Sequence, residues 1–368
     1  MLIAVMRKEA VVARQRTSIY DIARIAGISA GSVSKILNGK GHFSERTRAA
    51  VTEIARREGY VVNSAARALR ESFTRLVGIL TPDVSNDFFS SVILEAELCL
   101  RERGYVSLIC NFRNDPDIEA DCVRSLLEKR VDGVLFVGGR YPVDSSKLTS
   151  DLPFVCVDRQ LNDAPSGLIV TNDAEAMTHD MTSTLVGHGC ERVAYLSVET
   201  DAQTVEGTSR YLGYRRALKD AGMRIDKNLV LIGPHRHRSY LESERLVDGI
   251  LEAGYGMDGV VAIGDRVAIG CSNALRRHGY AVGCDVLVIG MDDSLHSRIA
   301  SPSLSTVRRY PELLAWDASL CLLAMVEGEG EAVRQITIPH KVIERESTLG
   351  VAVGHEGGQG ERLGGEMA

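Results

Sequence analysis

The groups able to do chemistry in this 368-residue chain separate by charge before they separate by reactivity. Residues 1–75 hold 14 Lys and Arg against 6 Asp and Glu, a balance of +8, while residues 76–368 hold 29 against 43, or −14. A basic segment draws nucleic-acid phosphates and an acidic body is kept off the same polyanion, so DNA or RNA would dock at the N-terminal end. No catalytic signature accompanies that charge. The chain has no G-x-G-x-x-G after a strand pattern, no phosphate loop and no H-E-x-x-H, and the reading is of a protein that is not an enzyme and needs no cofactor. The eight cysteines, at 99, 110, 122, 156, 190, 271, 284 and 321, form no Cys-x-x-Cys and sit mostly in apolar runs. They read as reduced core thiols. His235-Arg-His-Arg238 lacks cysteine or carboxylate partners at metal-ligand spacing and reads as a solvated loop, so no metal site is expected.

The elements that must carry these groups follow from composition and periodicity. At 45% hydrophobic and 25% charged residues, with a net charge of −6, the chain matches an ordinary folded protein, and its length implies two or three domains. Its apolar runs fall far short of a membrane span, and Met1–Met6 is too soon interrupted by Arg7 and Lys8 for a signal core, which points to the cytoplasm. Helical spacing marks Ile19–Ala26, stopped by Gly27; a second helix capped by Ser29 carries Val33, Ile36 and Leu37 and closes at Asn38-Gly39. Ser44 caps a third, with Val51, Ile54 and Ala55 inward and Gly59 as its stop. Three short helices in so few residues have the layout of a helix-turn-helix bundle.

From Leu76 short apolar runs alternate with amphipathic stretches. Strands are expected at Leu76–Thr81, Val106–Cys110, Gly133–Val137, Pro153–Val157, Val193–Val198, Val260–Ile263 and Val286–Ile289, with helices near 88–103, 116–129, 173–188, 208–222, 240–253 and 266–278. Each run is followed by a crossover long enough to return to a parallel sheet, so the body is a doubly wound α/β fold in two halves, with ligands expected at the carboxyl ends of the strands. Trp316, the sole tryptophan, lies in an apolar helix as a core or subunit contact. The glycine-rich tail 351–368 has little to bury and is expected to be disordered.

The stretch Ile19-Tyr-Asp-Ile-Ala-Arg-Ile-Ala-Gly-Ile-Ser-Ala-Gly-Ser-Val-Ser-Lys-Ile-Leu-Asn38, with Ser44-Glu-Arg-Thr-Arg48, Gly59-Tyr60 and Asn63-Ser-Ala-Ala-Arg-Ala-Leu69, strongly resembles the lactose-repressor (LacI/GalR) family of bacterial transcription regulators. Further landmarks of that family stand in the right order: Thr81-Pro-Asp-Val-Ser-Asn-Asp-Phe-Phe89, Arg103-Gly-Tyr105, Arg130-Val-Asp-Gly-Val134, Gly290-Met-Asp-Asp293, Pro302-Ser-Leu-Ser-Thr-Val307 and Arg345-Glu-Ser-Thr348. The resemblance covers Ser18 to Gly350. It implies an N-terminal extension (1–17), a helix-turn-helix DNA-binding domain (18–62), a hinge helix (63–71) and a two-lobed, type I periplasmic-binding-protein-like core of parallel sheets (72–350). Lobe 1 would span about 75–170 and 305–330, and lobe 2 about 171–304 and 331–350. The working form implied is a homodimer or larger homo-oligomer on pseudo-palindromic double-stranded operator DNA, away from any membrane.

Carried onto matching positions, the resemblance places Ala30, Gly31, Ser32 and Lys35 toward base edges in the major groove, with Ser29, Ser34, Asn38 and His42 near phosphates or bases. Ala30 and Gly31 stand where larger side chains often read bases, which shifts weight to Lys35 and to DNA shape. In the hinge, eight residues are too few for a stable isolated helix, so Asn63–Arg70 orders only when something packs on it. Asn63 would contact DNA there, Leu69 would be an apolar wedge in the minor groove, and Arg67 and Arg70 would take phosphates. The effector cleft implied is built from Phe88, Phe89, Asp158, Arg159, Arg210, Asp265 and Asp292. Guanidinium and carboxylates can each take paired hydroxyls while a ring stacks on C–H groups, which suits a sugar or sugar derivative. The sequence departs from the family at Gly264-Asp265, in place of Asn-Asp, and at Asn86-Asp87-Phe88-Phe89, in place of Asn-Pro-Phe-Phe. The implied function is an allosteric transcriptional regulator, most readily a repressor. The alternatives are a solute- or sugar-binding protein without a transcriptional role, which the basic three-helix head opposes, and a Rossmann-type enzyme, which the missing dinucleotide fingerprint opposes.

Overall fold

The computed structural model describes residues 17–60, 73–149, 151–161, 167–198, 205–234, 239–329 and 334–350, and the chain divides between Thr74 and Arg75 into two compact units. The extension before Thr17, the hinge at Asn63–Arg70, the His235–Arg238 cluster and the tail after Gly350 lie outside the described residues.

The head is three helices, α1 (Ile19–Ala26), α2 (Ala30–Leu37) and α3 (Glu45–Arg57). Each starts on a serine that spends its hydroxyl on otherwise unpaired helix amides. Ser18 and Asp21 form a reciprocal capping box, Ser29 accepts from the Ser32 amide at 3.1 Å, and Ser44 from the Thr47 amide at 3.2 Å. Gly27, at φ 68°, takes the left-handed turn that lets the chain leave α1 for α2. Ile22, Val33, Ile36 and Val51 close a small core, with Phe43, Ile54 and Tyr60 packed around it. Thr17, placed by the sequence reading in the extension, belongs to this bundle, because its hydroxyl donates to the Glu58 carbonyl at 2.8 Å.

The body holds twelve strands among the described residues, arranged as two six-stranded sheets. Lobe 1 contains β1 (Leu76–Thr81), β2 (Val106–Asn111), β3 (Gly133–Val137), β4 (Phe154–Val157), β5 (Gly167–Asn172) and β11 (Gln335–Ile338), ordered β11-β5-β4-β3-β1-β2 and all parallel. Lobe 2 contains β6 (Val193–Ser197), β7 (Val230–Ile232), β8 (Gly259–Ala262), β9 (Leu287–Met291), β10 (Ser305–Arg308) and β12 (Lys341–Ile343), ordered β12-β10-β9-β8-β6-β7. Its edge strand β12 runs antiparallel to β10, a departure from wholly parallel sheets. Helices α4 (Asp87–Glu102), α5 (Pro116–Glu128) and α11 (Pro311–Val326) cover the first sheet. The second is covered by α6 (Ala174–Gly187), α7 (Ser209–Asp220), α8 (Ser239–Glu252) and α9 (Asp265–Arg277), with the short α10 (Leu295–Ile299) and α12 (Glu346–Leu349) beside it.

The unbroken apolar runs of the central strands have a physical cause, because β1, β3, β4, β6 and β8 are buried on both faces, whereas the edge strand β2 is half-exposed along its length. Val77, Ile79, Leu135, Val137, Val155 and Val157 face the α4–α11 side, while Leu80, Val134, Phe136, Phe154 and Cys156 face the other. In lobe 2, Ala194, Leu196, Val260 and Ala262 alternate with Val193, Tyr195, Val261 and Ile263 in the same way. Cys99, Cys156, Cys190 and Cys271 are buried free thiols and Cys284 is exposed, so the core-thiol expectation holds for part of the set. Trp316 packs on lobe 1, donating its indole N–H to Glu95 at 3.3 Å beneath the Arg103 guanidinium.

The lobe boundaries differ from those expected. β10 completes the second sheet and β11 the first, so the chain crosses between lobes after Asn172, at Arg309-Tyr310 and at Pro339-His340, not near 305 and 331. Of the strands missed in the sequence, β7, β10, β11 and β12 have only three or four residues, while β5 (Gly167–Asn172) ends on the polar pair Thr171-Asn172 at a lobe crossing.

Helices α6 and α7 approach so closely that a Cβ on Gly213 would collide with the Glu175 carbonyl oxygen. Gly213→Ala is therefore expected to lower stability by about 1–3 kcal/mol, read as a fall in the urea midpoint at unchanged slope; an unchanged midpoint would show that the crossing can relax.

Candidate functional site

In the head, the exposed face of α2 is defined by what it lacks. Gly31, Lys35 and His42 are exposed, Ala30 is half-buried against the head core, and Lys35 is the helix's one cation. The Ser29 hydroxyl caps the helix and lies 2.9 Å from that of Ser32, and the Asn38 amide donates to the Ser34 carbonyl at 2.7 Å, so three polar groups expected at DNA serve the helix first. The expectation that the sequence holds no G-x-S-x-G is corrected here, because Gly27-Ile28-Ser29-Ala30-Gly31 has that spacing of a hydrolase nucleophile elbow; it joins two helices, not a strand to a helix, and its hydroxyl serves as a helix cap. Tyr20, on the first turn of α1, is 75% exposed and was not singled out from the sequence. Asn63, Arg67 and Leu69 lie outside the described residues.

In the body, the carboxyl ends of both sheets meet in a cleft lined by Asn86, Phe88, Phe89, Asp158, Arg210, Ile263, Gly264, Met291, Asp292 and Arg309. Five of the seven expected effector residues are there. Asn86 caps α4, accepting from the amides of Phe88 and Phe89 at 3.0 and 3.3 Å, which sets the two rings at the cleft. Gly138, at φ 71° after β3, leaves room for the Phe89 ring, which any Cβ would strike. Asp158 and Asp292 stand at the ends of β4 and β9 in left-handed backbone, φ 51° and 115°. Arg210, in the first turn of α7, lies 3.7 Å from Asp158.

Two expected residues are elsewhere. Arg159 turns into lobe 1, where it bonds both Glu119 oxygens at 2.6 and 3.0 Å and the Tyr141 carbonyl at 2.8 Å, against the rings of Phe112 and Phe136. It braces the Asp158 turn from behind; a buried bidentate pair leaves it no reach into the cleft. Asp265, 2% exposed, lies beneath the cleft floor and accepts from the Ser294 amide and hydroxyl at 2.7 and 2.8 Å and from Thr306 at 2.6 Å. Its task is to hold the loop carrying Asp292.

The sequence reading missed three charged groups that the fold brings here. Arg309, at a lobe crossing, is 2% exposed and pairs with Asp158 at 2.7 Å and Asp292 at 3.3 Å. Asp87 and Arg266 join the lobes at the cleft mouth: Arg266 Nε lies 3.1 Å from Asp87, its guanidinium also donates to the Ser85 carbonyl, and His296 approaches Asp87 at 3.0 Å. The departure at Asn86-Asp87 was the one available signal. Burial alone would push Asp158 up, but Arg309 and then Arg210 beside it hold its carboxyl below the usual range. Asp265 goes the other way, pushed up to about 6 by burial despite its hydroxyl and amide donors.

The head and the two-lobed body each find their counterpart among known proteins. Residues 18–63 match the family described as bacterial regulatory proteins, lacI family, and residues 182–348 match a periplasmic binding protein-like domain. The HTH-type transcriptional regulator RegA of Clostridium saccharobutylicum is 31% identical over 90% of this chain and 99% of its own length. The chain belongs to the lacI family of bacterial regulators. This lacI-family chain is also 28% identical to catabolite control protein A of Priestia megaterium, over 90% of the chain and 99% of that protein. Among solved structures it is similar to the transcriptional regulator CelR in complex with cellobiose, at 26% identity and TM-score 0.67, covering 90% of this chain and 100% of that one. The lac repressor dimer bound to operator and an anti-inducer shares the fold, at TM-score 0.79, 22% identity and coverage of 91% and 100%. The lacI-family regulator is thus a helix-turn-helix transcription regulator with a two-lobed core, and among its described residues no helix is long and apolar enough to cross a membrane.

The raised Asp265 carboxyl predicts a pH dependence. The folded group keeps its proton up to about 6 and the unfolded one only to 3.8, so the folded state binds more protons between those values and wild type loses stability relative to Asp265→Asn as pH rises through that window. Urea midpoints of both proteins from pH 4 to 7 check this; a difference that is flat in pH would show that Asp265 ionises normally.

Proposed function

We propose that this protein controls transcription, acting most readily as a repressor, by binding a pseudo-palindromic operator as a homodimer or higher homo-oligomer in the cytoplasm and yielding it to a small carbohydrate-like effector held between the lobes. It performs no catalysis in this role. The observation that carries the reading is the pairing, in one chain, of a lacI-type head with a cleft where strand ends from two lobes assemble two aromatic rings, two carboxylates and two guanidinium groups. Two similar structures support both halves, one being bound to operator and the other to cellobiose.

On the DNA side, Lys35 supplies the side-chain charge of α2, with Ser29, Ala30, Gly31, Ser32, Ser34, Asn38 and His42 along the same surface, and Asn63, Arg67 and Leu69 acting from the hinge. On the effector side, Phe89 offers a stacking face, Phe88 forms the wall behind the Arg309 guanidinium, and Arg210, Asp158 and Asp292 donate to and accept from hydroxyls. Effector binding favours one lobe arrangement, and the hinge segments respond as a population shift.

DNA fragments selected by the protein from its own genome, used in anisotropy titrations, test the reading. Lys35→Ala is expected to weaken operator binding on the order of tenfold and lower the salt slope by about one. Equal affinity for random DNA at every salt concentration would overturn specific regulation. With a sugar that releases wild type from that DNA, Arg210→Ala and Asp292→Ala are each expected to need roughly ten- to a hundredfold more of it while binding DNA normally. Normal release in both variants would place the effector elsewhere.

A further inference from the structure

Arg309 is anchored unlike the other charges of the cleft. Its backbone stands where the chain crosses between lobes, and its carbonyl accepts from the Asn172 side-chain amide at 3.1 Å. The same asparagine returns an oxygen to Arg309 Nε at 3.2 Å. The guanidinium carbon lies 3.7 Å from the Phe88 ring centroid. One arm of the fork meets Asp158 of lobe 1 at 2.7 Å and the other meets Asp292 of lobe 2 at 3.3 Å. A single side chain, 3% exposed, thus touches a carboxylate from each lobe, an aromatic wall of the cleft and the crossing strand. Removing it would take away the one guanidinium that both Asp158 and Asp292 contact and leave two like charges within its span, with Arg210 still 3.7 Å from Asp158.

We propose that Arg309 is the positioning residue of the cleft: a resident cation that ties the two carboxylates together when no effector is present and thereby holds the lobes closed. An effector then gains its place by offering donors to Asp158 and Asp292 in exchange for part of the Arg309 fork. The inference rests on the cleft reading above, but its central claim concerns the empty protein and is tested without any effector.

The test is single-molecule energy transfer on the full chain, with dyes attached through non-natural residues at exposed Lys129 of lobe 1 and Lys219 of lobe 2. Wild type is expected to populate mainly one high-transfer state. Arg309→Met keeps bulk against Phe88 but removes the charge, and it is expected to raise the low-transfer, open population at least about tenfold. Adding Asp292→Asn to Arg309→Met relieves the repulsion and is expected to return most molecules to the closed state, a rescue that a merely structural defect would not show. A wild-type distribution in Arg309→Met, or a double variant as open as the single, would overturn the proposal. Should Arg309→Met fail to fold, Arg309→Lys decides: an ammonium keeps the charge but cannot fork to both carboxylates, so a partly opened distribution supports the strut and a wild-type one overturns it. Failure of the effector reading would instead appear as no sugar-dependent release of DNA, whatever the empty lobes do.

Discussion

Three backbone crossings join the lobes, and one buried amide on the first of them reaches the other two. Asn172, 3% exposed, donates to the carbonyls of Arg309 at 3.1 Å, Ile338 at 3.0 Å and Pro339 at 3.4 Å, which belong to the other two crossings. A buried carbonyl with no partner costs on the order of 1–3 kcal/mol, so gathering these round one side chain stabilises the crossings. Everything above them inherits the geometry: which strand ends face each other, how wide the cleft stands, and where Arg309 points. A rigid hinge of this kind lets two lobes rotate without unravelling the strands that connect them.

The cleft is an electrostatic compromise built on that hinge. Desolvating Asp158 disfavours its charge, and the guanidinium groups of Arg309 and Arg210 more than offset the penalty, so it stays ionised. Asp265, buried more deeply, has hydroxyls and an amide in place of a cation, and its carboxyl rises. Two aspartates that follow strands of different lobes therefore do different work, one presented to the cleft and one structural beneath it. Arg159 shows the same division among the arginines, since Glu119 has claimed it for the lobe interior.

In the head, local chemistry accounts for nearly the whole structure. Serine caps, a glycine at a left-handed turn and a handful of apolar side chains suffice for three short helices around a minimal core. The cost of so small a bundle is that its polar residues are committed to holding helix ends, which leaves the α2 surface with Lys35 and little else that carries charge. Recognition by such a surface leans on backbone contact and on the shape of the duplex.

The sequence by itself determined the head, the alternation of buried strands and crossover helices, and the family. Caps, stops and apolar periodicity are local signals, and a strand buried on both faces is written as an unbroken apolar run. The family resemblance also marked Phe88, Phe89, Asp158, Arg210 and Asp292, which stand at strand ends and first helical turns, where open α/β sheets present the ligand edge. Only the tertiary structure decided the rest. Whether β10 and β11 exchange lobes depends on pairings between strands far apart in the chain, which short polar-containing segments such as Gln335–Ile338 do not announce. Arg159 and Arg309 are alike as letters, yet one is sequestered by Glu119, forty residues away, and the other is delivered to the cleft by a crossing that Asn172 holds from 137 residues away. A charge's role is set by which opposite charge the fold places against it, and that is a property of long-range contacts that no local pattern contains.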